Sequence, residues 1–177
     1  MLHIIINAVL FQLTWFALVM GNIQLGLACV IVMLCHVLWR VNHKSQLWVF
    51  LLFVVSAGVI TDTLMGMMSV YEFEQGRRTS PIIPTWLILL WLGFALTLNH
   101  ALAWLVTNLK YSLPLFAVMG PLSYWLGAQL NPQALSVSLQ YLPLLILQWA
   151  FMAVLIFWLT QQLTLNVADS RESYELH

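Results

Sequence analysis

The hydrophobic positions of this chain gather into six long apolar blocks separated by polar connections. A transmembrane helix needs about 20 mostly apolar residues, within a range of about 17–25. By that measure His3–Met20, Ile23–Trp39, Leu47–Val70, Thr85–Val106, Leu113–Leu130 and Tyr141–Leu163 each predict one span. Gly21-Asn22 reads as a tight turn, and Arg40, Asn42, His43 and Lys44 as a short polar loop. Residues 71–84, YEFEQGRRTSPIIP, form the longest polar connection, whose prolines oppose helix continuation. The fifth block carries Gly120-Pro121, which predicts a break in its helix. A bundle of five helices with this segment re-entrant is the alternative. The end, NVADSRESYELH, is polar and expected to fray. The predicted fold class is therefore all-α, a polytopic membrane helix bundle of one domain over residues 1–166. A polar tail of residues 167–177 follows it, and no internal repeat is visible.

Composition makes lipid the solvent. Of 177 residues, 62% are hydrophobic and 7% charged, and mean hydropathy is +0.92. Soluble domains carry about 25% charged residues. Six basic and six acidic residues cancel, so no basic field exists to hold nucleic acid. The first block lacks a basic n-region and an A-x-A-like end, which predicts a retained helix rather than a signal peptide. With six spans, Arg40, Lys44, Lys110 and Arg171 share the side of both termini, against Arg77 and Arg78 opposite. That excess predicts both termini in the cytoplasm. Cys29 and Cys35 lie six residues apart in one predicted helix, roughly 9 Å by helical rise. A disulfide needs less than about 7 Å between Cα atoms, so both read as small apolar fillers. No CxxC or HExxH occurs, and no metal or cofactor is expected.

Asp62 carries the candidate chemistry. It is the only Asp, Glu, Lys or Arg inside any predicted span. An ionisable group at membrane depth is costly and by default marks a functional site. No cation accompanies it there, so a neutral, hydrogen-bonding acid is expected. Gly58, Asp62 and Gly66 recur every four residues and share one helix face, which small residues make suitable for close helix contact. Thr61 and Thr63 flank it, with hydroxyls expected to bond back to the preceding turn. Counting rise from the span ends puts Asp62 about 12 Å below one surface, with Gln148, Ser123 and Tyr124 at similar depth. Asn7, His36, Asn99 and His100 fall nearer the other surface, so two polar layers are expected. Asp62 and His100 then differ by roughly 9 Å in height, which disfavours a direct dyad. As catalytic candidates, Asp62 would act as general acid or headgroup ligand, with Tyr124 and His100 as supporting donors. Asn7, Gln12, Trp86, Asn99, Ser123 and Gln148 are the substrate-binding candidates. The competing reading for most of these groups is ordinary interhelical hydrogen bonding.

Several of these segments are similar to a proteobacterial integral membrane family of unknown function, numbered 2878 among the domains of unknown function. The carriers are Asn7 with Phe11-Gln12 and Trp15; Gly58 with Asp62; Pro84, Trp86, Leu90-Trp91, Phe94-Ala95 and Thr97-Leu98; and Gly120 to Tyr124 with Gly127. The resemblance implies a bacterial inner-membrane protein and supplies no catalytic residues. Genes of this family can neighbour genes for fatty-acid modification, which favours lipid chemistry. The leading expectation is an accessory or enzymatic component of membrane lipid or fatty-acid modification, with membrane lipid as partner. A small proton-coupled transporter is the alternative, with Asp62 as proton carrier and the Gly120-Pro121 break lining the path. A non-catalytic membrane assembly partner, or a homo-oligomer, is the third possibility.

Overall fold

A computed structural model describes residues 2–41, 43–73 and 82–175, with side chains as far as Thr164. Asn42, Glu74, Arg77 and Arg78, which the sequence reading places in loops, lie outside the described residues, as does the Arg171 side chain. The all-α expectation holds. Among the described residues the chain forms α1 (Leu2–Val19), α2 (Ile23–Arg40), α3 (Lys44–Met67), β1 (Tyr71–Phe73), α4 (Thr85–Leu98), α5 (Ala103–Val106), α6 (Leu109–Leu130), β2 (Leu135–Val137), a 3-10 turn (Leu139–Tyr141) and α7 (Leu142–Glu175).

Turn chemistry sets the helix ends. Gly21 adopts φ +82°, and the N–H groups of Gly21 and Asn22 return to the carbonyls of Leu18 and Ala17, closing α1 in a Schellman motif. Asn22 then caps α2, its side-chain oxygen accepting the Leu25 N–H at 3.0 Å. The end of α3 repeats the motif, with Ser69 at φ +58° in place of glycine and the Val70 N–H bonded to Met65 O at 3.0 Å. This reversal turns the chain sharply and returns Tyr71 toward α3.

The most apolar helix lies at the centre. α4 packs against α1, α2 and α3, while α6 packs against α7 and α7 against α3. A helix that is hydrophobic all round belongs in the interior, and Trp91, Gly93 and the run Ala95, Leu96, Thr97 and Leu98 of α4 are buried. The outer helix faces are apolar too: Leu52, Val118 and Leu147 are all more than 60% exposed. Leu2–Val19, Ile23–Arg40, Lys44–Met67 and Leu139–Thr164 are long and apolar enough to cross a membrane.

Four details depart from the sequence reading. The fourth predicted span stops at Leu98 and restarts as the short α5, because the carbonyl of Thr97 takes the N–H groups of both His100 and Leu102 in a turn. No Gly or Pro marks this interruption. The fifth block is not broken at Gly120-Pro121: α6 is one continuous helix of 22 residues that contains both Pro114 and Pro121. At 1.5 Å per residue it is about 33 Å long. Strands β1 and β2, absent from the expectation, pair antiparallel with Tyr71 opposite Val137, Glu72 opposite Ser136 and Phe73 opposite Leu135. Finally, α7 continues as helix to Glu175, where fraying was expected; residues 164–175 contain neither Gly nor Pro.

Candidate buried carboxyl site and lateral groove

Asp62 is completely buried one turn and a half before the end of α3. Four side chains from four other elements converge on it. The Tyr71 hydroxyl (β1) meets Oδ1 at 2.6 Å, and the Gln148 amide nitrogen (α7) donates to the same oxygen at 2.6 Å. Trp91 Nε1 (α4) donates to Oδ2 at 2.7 Å, and the Tyr124 hydroxyl (α6) also bonds Oδ2. The indole and amide N–H groups only donate, so the two tyrosine oxygens are the partners able to accept an acid hydrogen. A carboxyl with four hydrogen-bond partners meets the requirement that buried polar groups be satisfied. The cluster thereby fastens α3, α4, α6, α7 and β1 at one level of the bundle.

Two glycines make this convergence possible. A Cβ at Gly58 would collide with the Trp91 indole, and one at Gly120 with the Trp149 indole. Trp91 and Trp149 stack on each other with ring centroids 5.4 Å apart and planes 16° from parallel. The order is therefore Gly58 of α3, Trp91, Trp149, then Gly120 of α6. The small-residue stripe of α3 thus accepts a side chain, and the glycine before Pro121 serves packing rather than a helix break.

Beside this stack lies a cavity of about 500 Å³. Volumes of about 300–1,000 Å³ are typical of small-ligand sites. One wall is the α1 face of Ala8, Phe11, Gln12, Trp15 and Phe16, spaced as one side of a helix. The facing wall comes from α6, with Leu115, Met119, Leu122, Ser123 and Leu126 among its residues. Trp91, Phe94, Tyr124 and Trp149 form the back. The two walls meet at the end nearest the strands, where Asn131 Nδ2 donates to Val19 O at 2.9 Å. Elsewhere they stand apart, and Phe16, Leu115, Met119, Leu122 and Leu126 remain exposed along the gap. The cavity is a groove that opens sideways on the apolar surface. Asp62 lies directly behind it, screened by Trp91 and Tyr124.

The structure brings together Asp62, Tyr124 and Gln148 and places Gln12 and Ser123 in the groove wall. The Ser123 hydroxyl donates to Gly120 O at 2.7 Å, and Gln12 is exposed with no hydrogen bond. The other candidates lie elsewhere. His100 joins no part of the Asp62 cluster; its ring packs against His36 at 5.1 Å and His3 at 5.4 Å. The turn after α4 carries it there, at the end where α1 begins and α2 closes. Asn7 is fully buried with neither side-chain polar atom paired. Asn99 is half-buried at the end of α4. Trp86 is buried against Phe73, outside the groove, with its Nε1 unpaired. No group of three or more His, Cys, Asp or Glu that could hold a metal occurs among the described residues.

Sequence reasoning did not assign Tyr71 or Trp91 to the site. Tyr71 sits in what reads as a polar loop, and only the left-handed Ser69 returns it to Asp62. Trp91 carried the family likeness without any link to Asp62. Its sole sequence signal is the four-residue step from Gly58 to Asp62, which leaves a flat recess one turn from the carboxyl.

No curated protein and no solved structure matches this chain. A family model described as a protein of unknown function, DUF2878, matches residues 4–155. A buried carboxyl site within a bundle of apolar helices is therefore set in a chain that belongs to the DUF2878 family.

Proposed function

We propose that this membrane protein receives the hydrophobic chain of a membrane lipid in the α1–α6 groove and serves as an accessory or enzymatic component of lipid or fatty-acid modification. The observation that supports it is a laterally open, apolar groove whose back wall includes a tyrosine bonded to the one buried carboxyl among the described residues. A lipid tail can enter such a groove from the bilayer without crossing water. Asp62 itself cannot touch the ligand, because Trp91 and Tyr124 stand between. Tyr124 is then the group at the wall, and Asp62 is a positioning residue that holds its hydroxyl and can exchange a proton with it. His100 lies outside this arrangement and has no part in it. The setting is a bacterial inner membrane with both termini cytoplasmic, a reading supported by the excess of Arg40, Lys44, Lys110 and Arg171 over Arg77 and Arg78 in the connections of a six-span chain.

Comparative lipidomics tests the reading. A deletion strain should show an altered lipid or fatty-acid profile, restored by the wild-type gene and not by Tyr124→Phe. A deletion profile indistinguishable from wild type would overturn it.

A further inference from the structure

The groove's polar groups, and the charges it lacks, define its ligand more narrowly. None of the residues lining it is Asp, Glu, Lys, Arg or His. A carboxylate or phosphate placed there would have no cation to meet it, a bare ion is strongly disfavoured at membrane depth, and a fatty acid could enter only after taking up the proton it gives up in water at neutral pH. The groove is nonetheless not wholly apolar. Gln12 presents an exposed amide from α1 with no hydrogen bond, although it lies seven residues, about 10 Å, inside the helix end at Val19. An amide facing hydrocarbon without a partner is costly, since nothing in lipid can bond it. Ser123 lines the opposite wall, also seven residues from its helix end at Leu130. α1 and α6 converge at those two ends, where Val19 lies by Gly127 and Asn131, so counting helical rise back from them puts Gln12 and Ser123 at similar depth on the two walls. Ser123 directs its hydrogen to Gly120 O, and its oxygen is left as an acceptor.

We infer that the groove binds an uncharged lipid alcohol, a single long chain whose hydroxyl sits between Gln12 and Ser123. One hydroxyl satisfies both walls: it accepts from the Gln12 amide and donates to the Ser123 oxygen. An alkane chain leaves the amide unpaired. A ketone or ester accepts from Gln12 and offers Ser123 nothing. This inference rests on the groove being a lipid site, as proposed above, and adds the head chemistry.

The test is photolabelling of the full-length protein in lipid nanodiscs with a diazirine analogue of 1-hexadecanol. Label should map to α1 and α6 peptides. Unlabelled hexadecanol should compete about tenfold better than hexadecane or palmitate. Gln12→Leu should retain labelling but bring the three competitors within about twofold of one another. Met119→Trp, which fills the groove from an exposed position, should abolish labelling while the protein remains folded. Equal competition by hexadecane or palmitate in the wild type, or an unchanged preference in Gln12→Leu, would overturn the inference. So would an absence of labelling, which strikes at occupancy of the groove, whereas an unchanged lipid profile in the deletion strain strikes only at the modification role. A Gln12→Cys variant in a Cys29→Ala, Cys35→Ala background should form no disulfide-linked dimer. A dimer would assign the exposed amide to a second copy of this chain instead.

Discussion

At Asp62 a single carboxyl organises five elements, because every partner approaches from a different part of the chain. Removing an acceptor that several buried donors share leaves those donors unpaired, and the penalty exceeds that of losing one bond. Asp62→Asn keeps the shape but puts an amide nitrogen, which cannot accept, opposite the N–H of either Trp91 or Gln148. We expect it to lower stability by about 3 kcal/mol, whereas Tyr71→Phe, which deletes one hydrogen bond, should cost about 1–2 kcal/mol. Reversible unfolding in mixed micelles measures both. Equal losses would mean that the carboxyl is not the shared centre. Asn7 marks the opposite case: a fully buried amide with neither polar atom bonded. The structure offers no protein partner that accounts for it.

Helices and turns place those residues. Ser69 holds a left-handed conformation that costs an L-residue about 1–2 kcal/mol, and its side chain is exposed. Ser69→Gly removes the strain but enlarges the unfolded chain's freedom, so a net gain of about 0.5–1 kcal/mol is expected as a higher Tm. Gly58 gives the opposite result. A methyl group there meets the Trp91 ring flat against α3, and forced overpacking costs about 1–3 kcal/mol. Gly58→Ala should also be non-additive with Trp91→Leu, since the smaller side chain relieves the clash. Additive losses from the two changes would show that Gly58 does not exist to seat Trp91.

For the whole molecule, the start of α1 and the ends of α2 and α4 meet at His3, His36 and His100, and the start of α3 meets α7 where Gln46 Nε2 donates to Leu163 O; the orientation proposed above puts the end that carries Arg40 and Lys44 in the cytoplasm with both termini. A C-terminal fluorescent-protein fusion should therefore fluoresce, and alkaline phosphatase inserted within residues 74–81 should be active, in the same bacterial host. The reverse pattern would invert the proposed orientation. The small sheet of β1 and β2 lies at the other end and joins segments more than 60 residues apart in sequence. It closes the end of the bundle above Asp62, beside the point where α1 and α6 meet, while the groove stays open at the side.

Local chemistry was enough to announce the helices, the Gly21-Asn22 turn and the burial of Asp62 among partners. Long apolar runs have one low-energy form in hydrocarbon, and a lone carboxyl among them must find partners. Counting helical rise also placed Tyr124 and Gln148 near Asp62 in depth, because depth along a straight helix is a one-dimensional quantity. Which helix faces meet is not one-dimensional, and only the tertiary structure decided it. Packing of α4 at the centre put Trp91 on the carboxyl and sent His100 to a separate cluster with His3 and His36. Tyr71 reached the site through one left-handed residue that sequence alone does not mark. The groove is the extreme example, since a space between α1 and α6 belongs to neither helix and exists only once both are packed.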